Sequence, residues 1–279
     1  MRGEGTRNGI FQRYPYRPVP PAPAVTHPSL PPNAFVFGGR PFTPAEVIEG
    51  LAPFVGEERQ ARIADVVAAR TVRVVPVLER VHDMGNVNAA LRSTEGLGYG
   101  AAHLVGLQGE AAAWAEAFGV AEGEDAATVE GGTGRAQRQS QGADKWLDLH
   151  VWPDAAAACD GLKARGYRIA ATHLAADAVP IADVDFTQPT ALVFGNERDG
   201  VSADLLARAD LNVVRPIDGF IQSYNISVAA ALGLYHARRD RIDRQGHHGD
   251  LGEEERAQLT ARYYLRSVRA ADLILARLA

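Results

Sequence analysis

Polar side chains of the kinds that bind and orient ligands are concentrated in two short turns of the segment 190–236. The first turn, residues 196–199 (Asn-Glu-Arg-Asp), directly follows the apolar run 191–194, and the second, residues 222–225 (Gln-Ser-Tyr-Asn), comes after the run 211–214. Short apolar runs of this kind are typical of strands buried on both faces of a parallel sheet. Because open α/β sheets bind ligands outside the carboxyl ends of their strands, the sequence predicts a ligand site formed by both turns.

Each of these residues also has a purely structural interpretation. Serine and asparagine cap the free amide groups at the start of a helix, and glycine is a usual residue of tight turns. The residues that admit this interpretation are Ser202, Ser223, Asn225, Gly195, Gly200 and Gly219. A third segment favours a ligand site instead. Residues 72–106 again have the pattern of strand, turn, helix and strand, and the turn leads to Asn86 and Arg92.

The three segments together resemble the signature of the TrmH/SpoU branch of the SPOUT RNA methyltransferases. Asn86 and Arg92 match its first motif, and residues 194–200 (Phe-Gly-Asn-Glu-Arg-Asp-Gly) match its second. The third motif is matched in order and spacing by Pro216, Gly219, Ser223, Asn225, Ser227, Val228 and Ala229. The resemblance covers about residues 57–244 and is close to the tRNA guanosine 2′-O-methyltransferases. Departures from the usual motif residues occur at Asn88, at 83–85 (Asp-Met-Gly) and at Tyr224.

The resemblance implies an α/β fold with a SPOUT-type, mainly parallel sheet, a C-terminal deep trefoil knot at about 190–239, and flanking N- and C-terminal helical extensions. Alternating strand and helix patterns from residue 72 onwards predict a mainly parallel sheet independently. Thr43 before Pro44, with Glu46 three residues later, predicts a helix start. Helices are expected at 44–51, 57–69, 226–239 and 253–278.

The same patterns divide the chain into four parts. They are a disordered Pro/Arg-rich arm over 1–33, a helical extension over 34–70, the methyltransferase domain over 71–244, and a linker with a C-terminal helix over 245–279.

The activity implied by the resemblance is methyl transfer from S-adenosyl-L-methionine (AdoMet) to a ribose 2′-oxygen of tRNA, at the conserved D-loop guanosine. Methylation of a ribosomal RNA ribose and a catalytically inactive RNA-binding protein are the alternatives. The implied catalytic residues are Arg92, Asn86, Glu197, Ser223 and Asn225. Because a guanidinium stays protonated, we expect Arg92 to grip an RNA phosphate and stabilise the developing alkoxide, while the other four orient Arg92 and the ribose.

The AdoMet pocket implied by the resemblance is formed by the turns at the strand ends. Its residues are Leu192, Phe194, Gly195, Asn196, Ile217, Gly219, Phe220, Tyr224 and Ser227. We expect Gly195 and Gly219 to be glycine because a residue without Cβ lets the backbone approach a ligand closely.

RNA contacts must come from local patches, because the net charge of -5 argues against a strongly basic nucleic-acid binder. The candidate RNA-binding residues are Arg135, Arg138, Lys145, Arg198, Arg238, Arg239, Arg262 and Arg266. Members of the resembling family are homodimers whose knot helices form the interface, so a homodimer is expected here. The small residues Ala229, Ala230 and Gly233 suit either that interface or an internal core.

The remaining features argue against several classes of protein. No apolar run approaches the ~18 residues of a membrane span, and no apolar signal region is present, so we expect a cytoplasmic protein without membrane association. Cys159 is expected to be a small buried residue. No ligand set surrounds His247 and His248, so we expect both to be solvated and no metal to be bound. Glycines at 96–100 favour a helix C-cap over a dinucleotide loop, and 130–143 is expected to be a mobile loop near RNA.

Overall fold

A computed structural model describes residues 35–117, 127–129 and 144–279 of the chain. The predicted arm at 1–33 and the whole of the predicted loop at 130–143 lie outside this range. A hairpin of β1 (Phe35–Phe37) and β2 (Arg40–Phe42) comes first. The strands that follow are β3 (Val74–Glu79), β4 (Ala101–Val105), β5 (Ala127–Val129), β6 (Asp148–Trp152), β7 (Arg168–Thr172), β8 (Val179–Pro180), β9 (Thr190–Phe194) and β10 (Leu211–Val214).

These later strands form one sheet in the order β5-β6-β4-β3-β9-β7-β10-β8. All neighbouring pairs are parallel except β5 with β6, which confirms the mainly parallel sheet. Every residue of β3, β4, β6 and β9 is buried, as expected for strands covered on both faces. Because β3, β9, β7 and β10 are parallel, their carboxyl ends lie along one edge of the sheet.

Helices cover both faces of this sheet. The helices of the described residues are α1 (Pro44–Leu51), α2 (Glu57–Ala68), α3 (Met84–Gly96), α4 (Gly109–Ala117), α5 (Ala155–Ala164), α6 (Ala203–Arg208), α7 (Ile226–Gln245), α8 (Glu253–Ser267) and α9 (Ala271–Ala276). On one face, α3 and α7 share an apolar core with the strands. On the other face, α5 and α6 do so. A third core joins α1, α2, α8 and α9.

The small residues of α7 pack inward. Ala230 is fully buried, and a Cβ at Gly233 would lie 2.9 Å from the ring of Phe194. Close packing of α7 on β9 therefore accounts for the small residues at these two positions.

The predicted helix boundaries agree with the structure in the N-terminal part of the chain and differ from it in the C-terminal part. α1 begins at Pro44 behind the Thr43–Glu46 capping box. α7 runs beyond the predicted end to Gln245 and stops at Gly246, whose φ of 84° is left-handed. The single helix predicted over 253–278 is wrong: two helices are present, separated at Ala270, whose φ of 55° lies outside the helical region.

Two smaller predictions are confirmed in the described residues. Cys159 is buried, and burial raises the pKa of its thiol to about 11. Gly96 is the last residue of α3, and just beyond it the amide of Tyr99 donates to the carbonyl of Thr94 across Gly98 (3.1 Å), as expected for a helix C-cap. No described helix is long and apolar enough to cross a membrane, and no group of metal-ligating side chains is found in the described part of the chain.

The prediction that His248 is solvated is wrong, because this side chain is only 7% exposed. Its ring packs edge-on against Tyr99, with the ring centroids 4.9 Å apart. The fully buried Arg241 of α7 donates to the carbonyl of His248 (3.1 Å) and to the carboxylate of Asp250 (2.7 Å). These bonds draw a polar segment inward, and burial, followed by the charge of Arg241, lowers the pKa of His248 to about 3.

We expect acid to destabilise the fold through His248. The unfolded chain takes up a proton at the ordinary histidine pKa of 6.5, whereas the folded chain does so only at about 3. The stabilisation is therefore complete above pH 6.5 and is lost as the pH falls towards 3, with about 2 kcal/mol lost by about pH 5.

Chemical denaturation at neutral and acid pH measures this effect. His248→Gln should reduce the fall in the free energy of unfolding. His247→Gln, at the exposed neighbouring histidine, should leave the fall as it is in the parent protein. An equal fall in the parent and in His248→Gln would contradict the expectation.

Candidate active site

The start of α3 positions Asn86. Asp83 caps this helix, and its carboxylate accepts the amide protons of Gly85 (2.5 Å) and Asn86 (3.2 Å). Because α3 begins directly beyond the carboxyl end of β3, its first turn holds the Asn86 side chain at the edge of the sheet where ligands are expected.

The turn after β9 is fixed by its own backbone. The buried Asn196 accepts, through Oδ1, the amide protons of Arg198 (2.9 Å) and Asp199 (2.8 Å), and its carbonyl accepts that of Gly200 (3.1 Å). A Cβ at Gly195 would lie 2.0 Å from the carbonyl carbon of Gly200. Glycine is thus required at 195 by contact within the turn, which is a reason that the sequence did not indicate.

Three of the predicted catalytic side chains form one hydrogen-bonded set, although they come from distant parts of the chain. Nδ2 of Asn86 donates to Oε1 of Glu197 (2.5 Å), 111 residues away. Nδ2 of Asn225 donates to Oδ1 of Asn86 (3.0 Å), 139 residues away. We call Asn86, Glu197 and Asn225 the polar triad.

Asn225 combines the two roles that the sequence allows. It is the N-cap of α7, where its Oδ1 accepts both the amide proton and the hydroxyl proton of Ser227 (2.9 and 2.6 Å). The cap therefore fixes the orientation of the Asn225 amide towards Asn86. Ser202 is likewise a cap, of α6, whereas Ser223 is not a cap.

Arg92 and Ser223 lie outside the polar triad. Both side chains are exposed, and within the described part of this chain neither has a hydrogen-bond or ionic partner. Six residues of α-helix rotate Arg92 by about 240° from Asn86, so the two side chains leave different faces of α3. The expected direct orientation of Arg92 by the other four residues is not seen within one chain.

A cavity of about 470 Å³ opens beside the triad, between the carboxyl ends of β7, β9 and β10. Glu197 and Ser223 line it, together with the predicted cofactor residues Phe194, Gly195, Asn196, Ile217 and Tyr224. The sequence missed Thr172, His173, Leu174 and Arg215, which also line it. Pairing of β7 with β10 brings Thr172, His173 and Leu174 to the cavity. The sequence could have indicated Thr172, because it lies at the end of a strand.

Four predicted cofactor residues do not line the cavity. Leu192 is fully buried under Gly233, and Ser227 is bound to Asn225. Phe220 is fully exposed, and the space around a Cβ at Gly219 is open for at least 4 Å. Glycine at 219 is therefore not required by packing within the described chain.

The predicted RNA-binding residues have different surroundings. Arg135 and Arg138 lie outside the described residues. Arg198 is exposed, Arg238 is half-buried, and the exposed Arg239 pairs with Asp243 (3.0 Å). Lys145 and Arg59 each lie 5.1 Å from the ring centroid of Trp146, and burial, then Arg59 and Arg266, lower the pKa of Lys145.

Arg262 and Arg266 have a structural function that the sequence did not indicate. Their side chains are only 15% and 11% exposed, and both pair with the buried Asp148 of β6 (3.3 and 2.8 Å). Although burial opposes it, the charge of Arg266 and then of Arg262 holds the pKa of Asp148 below its usual range. The two arginines therefore attach α8 to the sheet, and little of either side chain is left at the surface to contact RNA.

Comparisons with known proteins identify sequence relatives of this chain and a solved structure with a similar fold. The SpoU rRNA Methylase family matches residues 109–235. The tRNA (guanosine(18)-2′-O)-methyltransferase of Thermus thermophilus is 37% identical over 186 residues, which are 67% of this chain and 84% of that protein. The protein of the same name from Borreliella burgdorferi is 31% identical over 228 residues, with coverage of 80% and 92%. A solved structure, the A. aeolicus TrmH/SpoU tRNA modifying enzyme, matches with a TM-score of 0.60 and 28% identity, over 76% of this chain and 98% of that one.

Proposed function

Because this chain belongs to the SpoU/TrmH family of RNA 2′-O-methyltransferases, we propose that it methylates the ribose of the D-loop guanosine at tRNA position 18, with AdoMet as methyl donor. The observation that carries the proposal is the polar triad beside the cavity, since Asn86, Glu197 and Asn225 are motif residues that the fold joins across 111 and 139 residues. A cytoplasmic location stays a prediction of the sequence.

The cavity fits AdoMet in its chemistry. Nδ2 of Asn196 is buried and has no hydrogen-bond partner in the described structure, although buried amide groups are normally paired. AdoMet carries carboxylate, hydroxyl and adenine acceptors, and Phe194, Ile217 and Tyr224 supply apolar wall. We infer that the residues around the cavity hold AdoMet, which supplies a methyl group bound to a sulfonium sulfur.

The protein's part in the reaction is to align the ribose 2′-oxygen and to stabilise the alkoxide that develops on it. Methyl transfer needs the ribose 2′-oxygen in line with the methyl carbon and the departing sulfur. We assign this alignment to the polar triad, in which Glu197 accepts and Asn86 donates in a fixed direction. Arg92, protonated throughout, grips an RNA phosphate and stabilises the developing alkoxide, and the hydroxyl proton passes to that phosphate or to water.

A deep trefoil knot belongs to the same proposal. β10 lies beyond β7 in the sheet, yet α7 packs back on β9 and its cap bonds to Asn86 of α3. The chain over 215–225 must therefore pass across the carboxyl ends of β7 and β9. This path supports a knot at the cavity.

A homodimer through the outer face of α7 also belongs to the proposal. Val228 and Tyr235 lie seven residues apart on one helix face and are 44% and 53% exposed. Phe220 and Ile221, just before α7, are also exposed. Large apolar side chains grouped on a surface mark an interface. We infer that a second copy bound at this face supplies its exposed Arg92 to the site.

Methylation of defined RNA tests the proposal. With labelled AdoMet, we expect the purified protein to place one 2′-O-methyl group in a tRNA transcript, at the D-loop guanosine, and none when that ribose lacks its 2′-hydroxyl. The family description names rRNA, so ribosomal RNA fragments form the second arm of the experiment. Modification of rRNA alone would replace the substrate, and AdoMet binding without transfer to either RNA would favour the inactive RNA-binding alternative.

A further inference from the structure

Glu79, the last residue of β3, is a buried carboxylate that none of the steps above uses. β3 lies at the centre of the sheet, beside β9, and Glu79 is only 1% exposed. Its two oxygens accept the amide proton (2.8 Å) and the hydroxyl proton (2.5 Å) of Ser202. A buried carboxylate is costly unless its oxygens are bound, and here one residue binds both.

Ser202 ends the turn that carries Asn196 and Glu197. Its hydroxyl oxygen also accepts the amide proton of Leu205 (3.2 Å) at the start of α6. Glu79 therefore connects β3 directly to the point where the turn becomes α6.

The next residue, Arg80, holds the same turn at a second point. Arg80 has a left-handed φ of 55°, which is unusual for a residue other than glycine. Its guanidinium lies 3.6 Å from the carboxylate of Asp199. Glu79 and Arg80 thus bind the turn on both sides of Gly200, Glu79 through Ser202 and Arg80 through Asp199.

The position of Gly200 is transmitted to the catalytic side of the turn by direct contact. The backbone of Gly200 packs so closely on Gly195 that no Cβ fits between them, and its amide bonds to Asn196. At the other side of the turn, Nδ2 of Asn86 donates to Oε1 of Glu197 at 2.5 Å, and a shift of the turn would lengthen and weaken this hydrogen bond.

We propose that Glu79 is a positioning residue for methyl transfer, which acts through Ser202 on Glu197 and on the cavity residue Asn196. This inference rests on the proposed function. Loss of the carboxylate releases the turn and misplaces Glu197, so the chemical step slows while tRNA binding, which uses other residues, is retained.

The experiment compares Glu79→Ala, Glu79→Gln and Ser202→Ala with a matched control. Misplacement by about an ångström can slow a reaction by up to 100-fold. We expect kcat in Glu79→Ala to fall by about 10-fold or more, KM for tRNA to change by less than about twofold, and Glu79→Gln to recover part of the loss. Glu46 accepts the amide and hydroxyl protons of Thr43 at the α1 cap, remote from the site, so Glu46→Ala should leave kcat unchanged.

A double substitution separates positioning from a general loss of structure. If Glu79 acts through Glu197, Glu79→Ala should add little to the loss of kcat once Glu197 is already alanine. Losses that multiply in the double variant, or a kcat in Glu79→Gln and Ser202→Ala equal to that of the parent, would overturn the proposal. If Glu79→Ala does not fold, the kcat values of Glu79→Gln and Ser202→Ala provide the test.

AdoMet affinity distinguishes failure of this inference from failure of the proposed function. Calorimetry with AdoMet requires no RNA, and Glu79→Ala should weaken binding because Asn196 shifts with the turn, whereas Glu46→Ala should not. A parent protein that binds AdoMet but methylates no tRNA would count against the proposed function alone. Unchanged AdoMet affinity in Glu79→Ala and Ser202→Ala would then count against the role of Glu79.

Discussion

Replacing Arg92 by alanine is expected to lower kcat for methyl transfer by at least about 100-fold, the loss typical of removing one donor that stabilises a developing oxyanion. AdoMet affinity should not change, because Arg92 does not line the cavity. The side chain is exposed on α3 and is bound to nothing in the described chain, so its removal leaves no buried group unpaired. Single-turnover methylation of tRNA with saturating AdoMet measures the effect.

The controls separate the guanidinium from charge and from helix stability. Arg92→Lys keeps the positive charge but loses the planar pair of donors that fits a phosphate, so we expect only partial recovery of kcat. Arg208→Ala removes an arginine that pairs with Asp204 on α6, away from the triad, and should leave kcat unchanged. Parent-like turnover in Arg92→Ala would contradict the assignment of the alkoxide-stabilising role.

The strands were predictable because their signal is local. Residues 191–194 are all apolar, residues 211–214 are apolar except for Asn212, and both runs are strands of the sheet. The break at Ala270 could not be predicted in this way, since no glycine or proline marks it. Its left-handed φ is imposed where α9 turns back to pack on α1, with Leu275 against Gly50.

The burial of His248 could not be predicted from the sequence either, because it depends on a contact between separate elements. Apart from Leu251, residues 245–252 are polar or glycine, and this composition predicts a solvated linker. The linker folds inward because Arg241 lies within the core and requires Asp250 as its partner, a contact between two elements. A polar residue bound in this way cannot be distinguished from a solvated one by composition.

The candidate site was predicted residue by residue from motifs, but the relation between those residues was not. No local pattern states that Asn86 meets Glu197 or that Asn225 meets Asn86, because these contacts follow from the crossing of the chain over the sheet edge. The separation of Arg92 from the triad follows from helix geometry, which turns successive motif positions to different faces.

Mixing Arg92→Ala protein with Asn86→Ala protein is expected to restore activity that neither has alone. If each site takes Arg92 from one protomer and the polar triad from the other, a mixed dimer contains one site with both intact. Random exchange makes half of the dimers mixed, so activity should recover to about a quarter of the parent value. Methylation assays after subunit exchange measure the recovery.

The matched control mixes two variants that each alter the polar triad. Asn86 and Asn225 bond to each other within one chain, so mixing Asn86→Ala with Asn225→Ala leaves both sites of a mixed dimer defective and should restore nothing. Tyr235→Arg places a charge on the exposed face of α7 and should give monomers and abolish the recovery. Absence of recovery in the first mixture, with dimers present by light scattering, would mean that Arg92 serves the triad of its own chain. The rotation that separates them on α3 would then have to be overcome by movement when RNA binds.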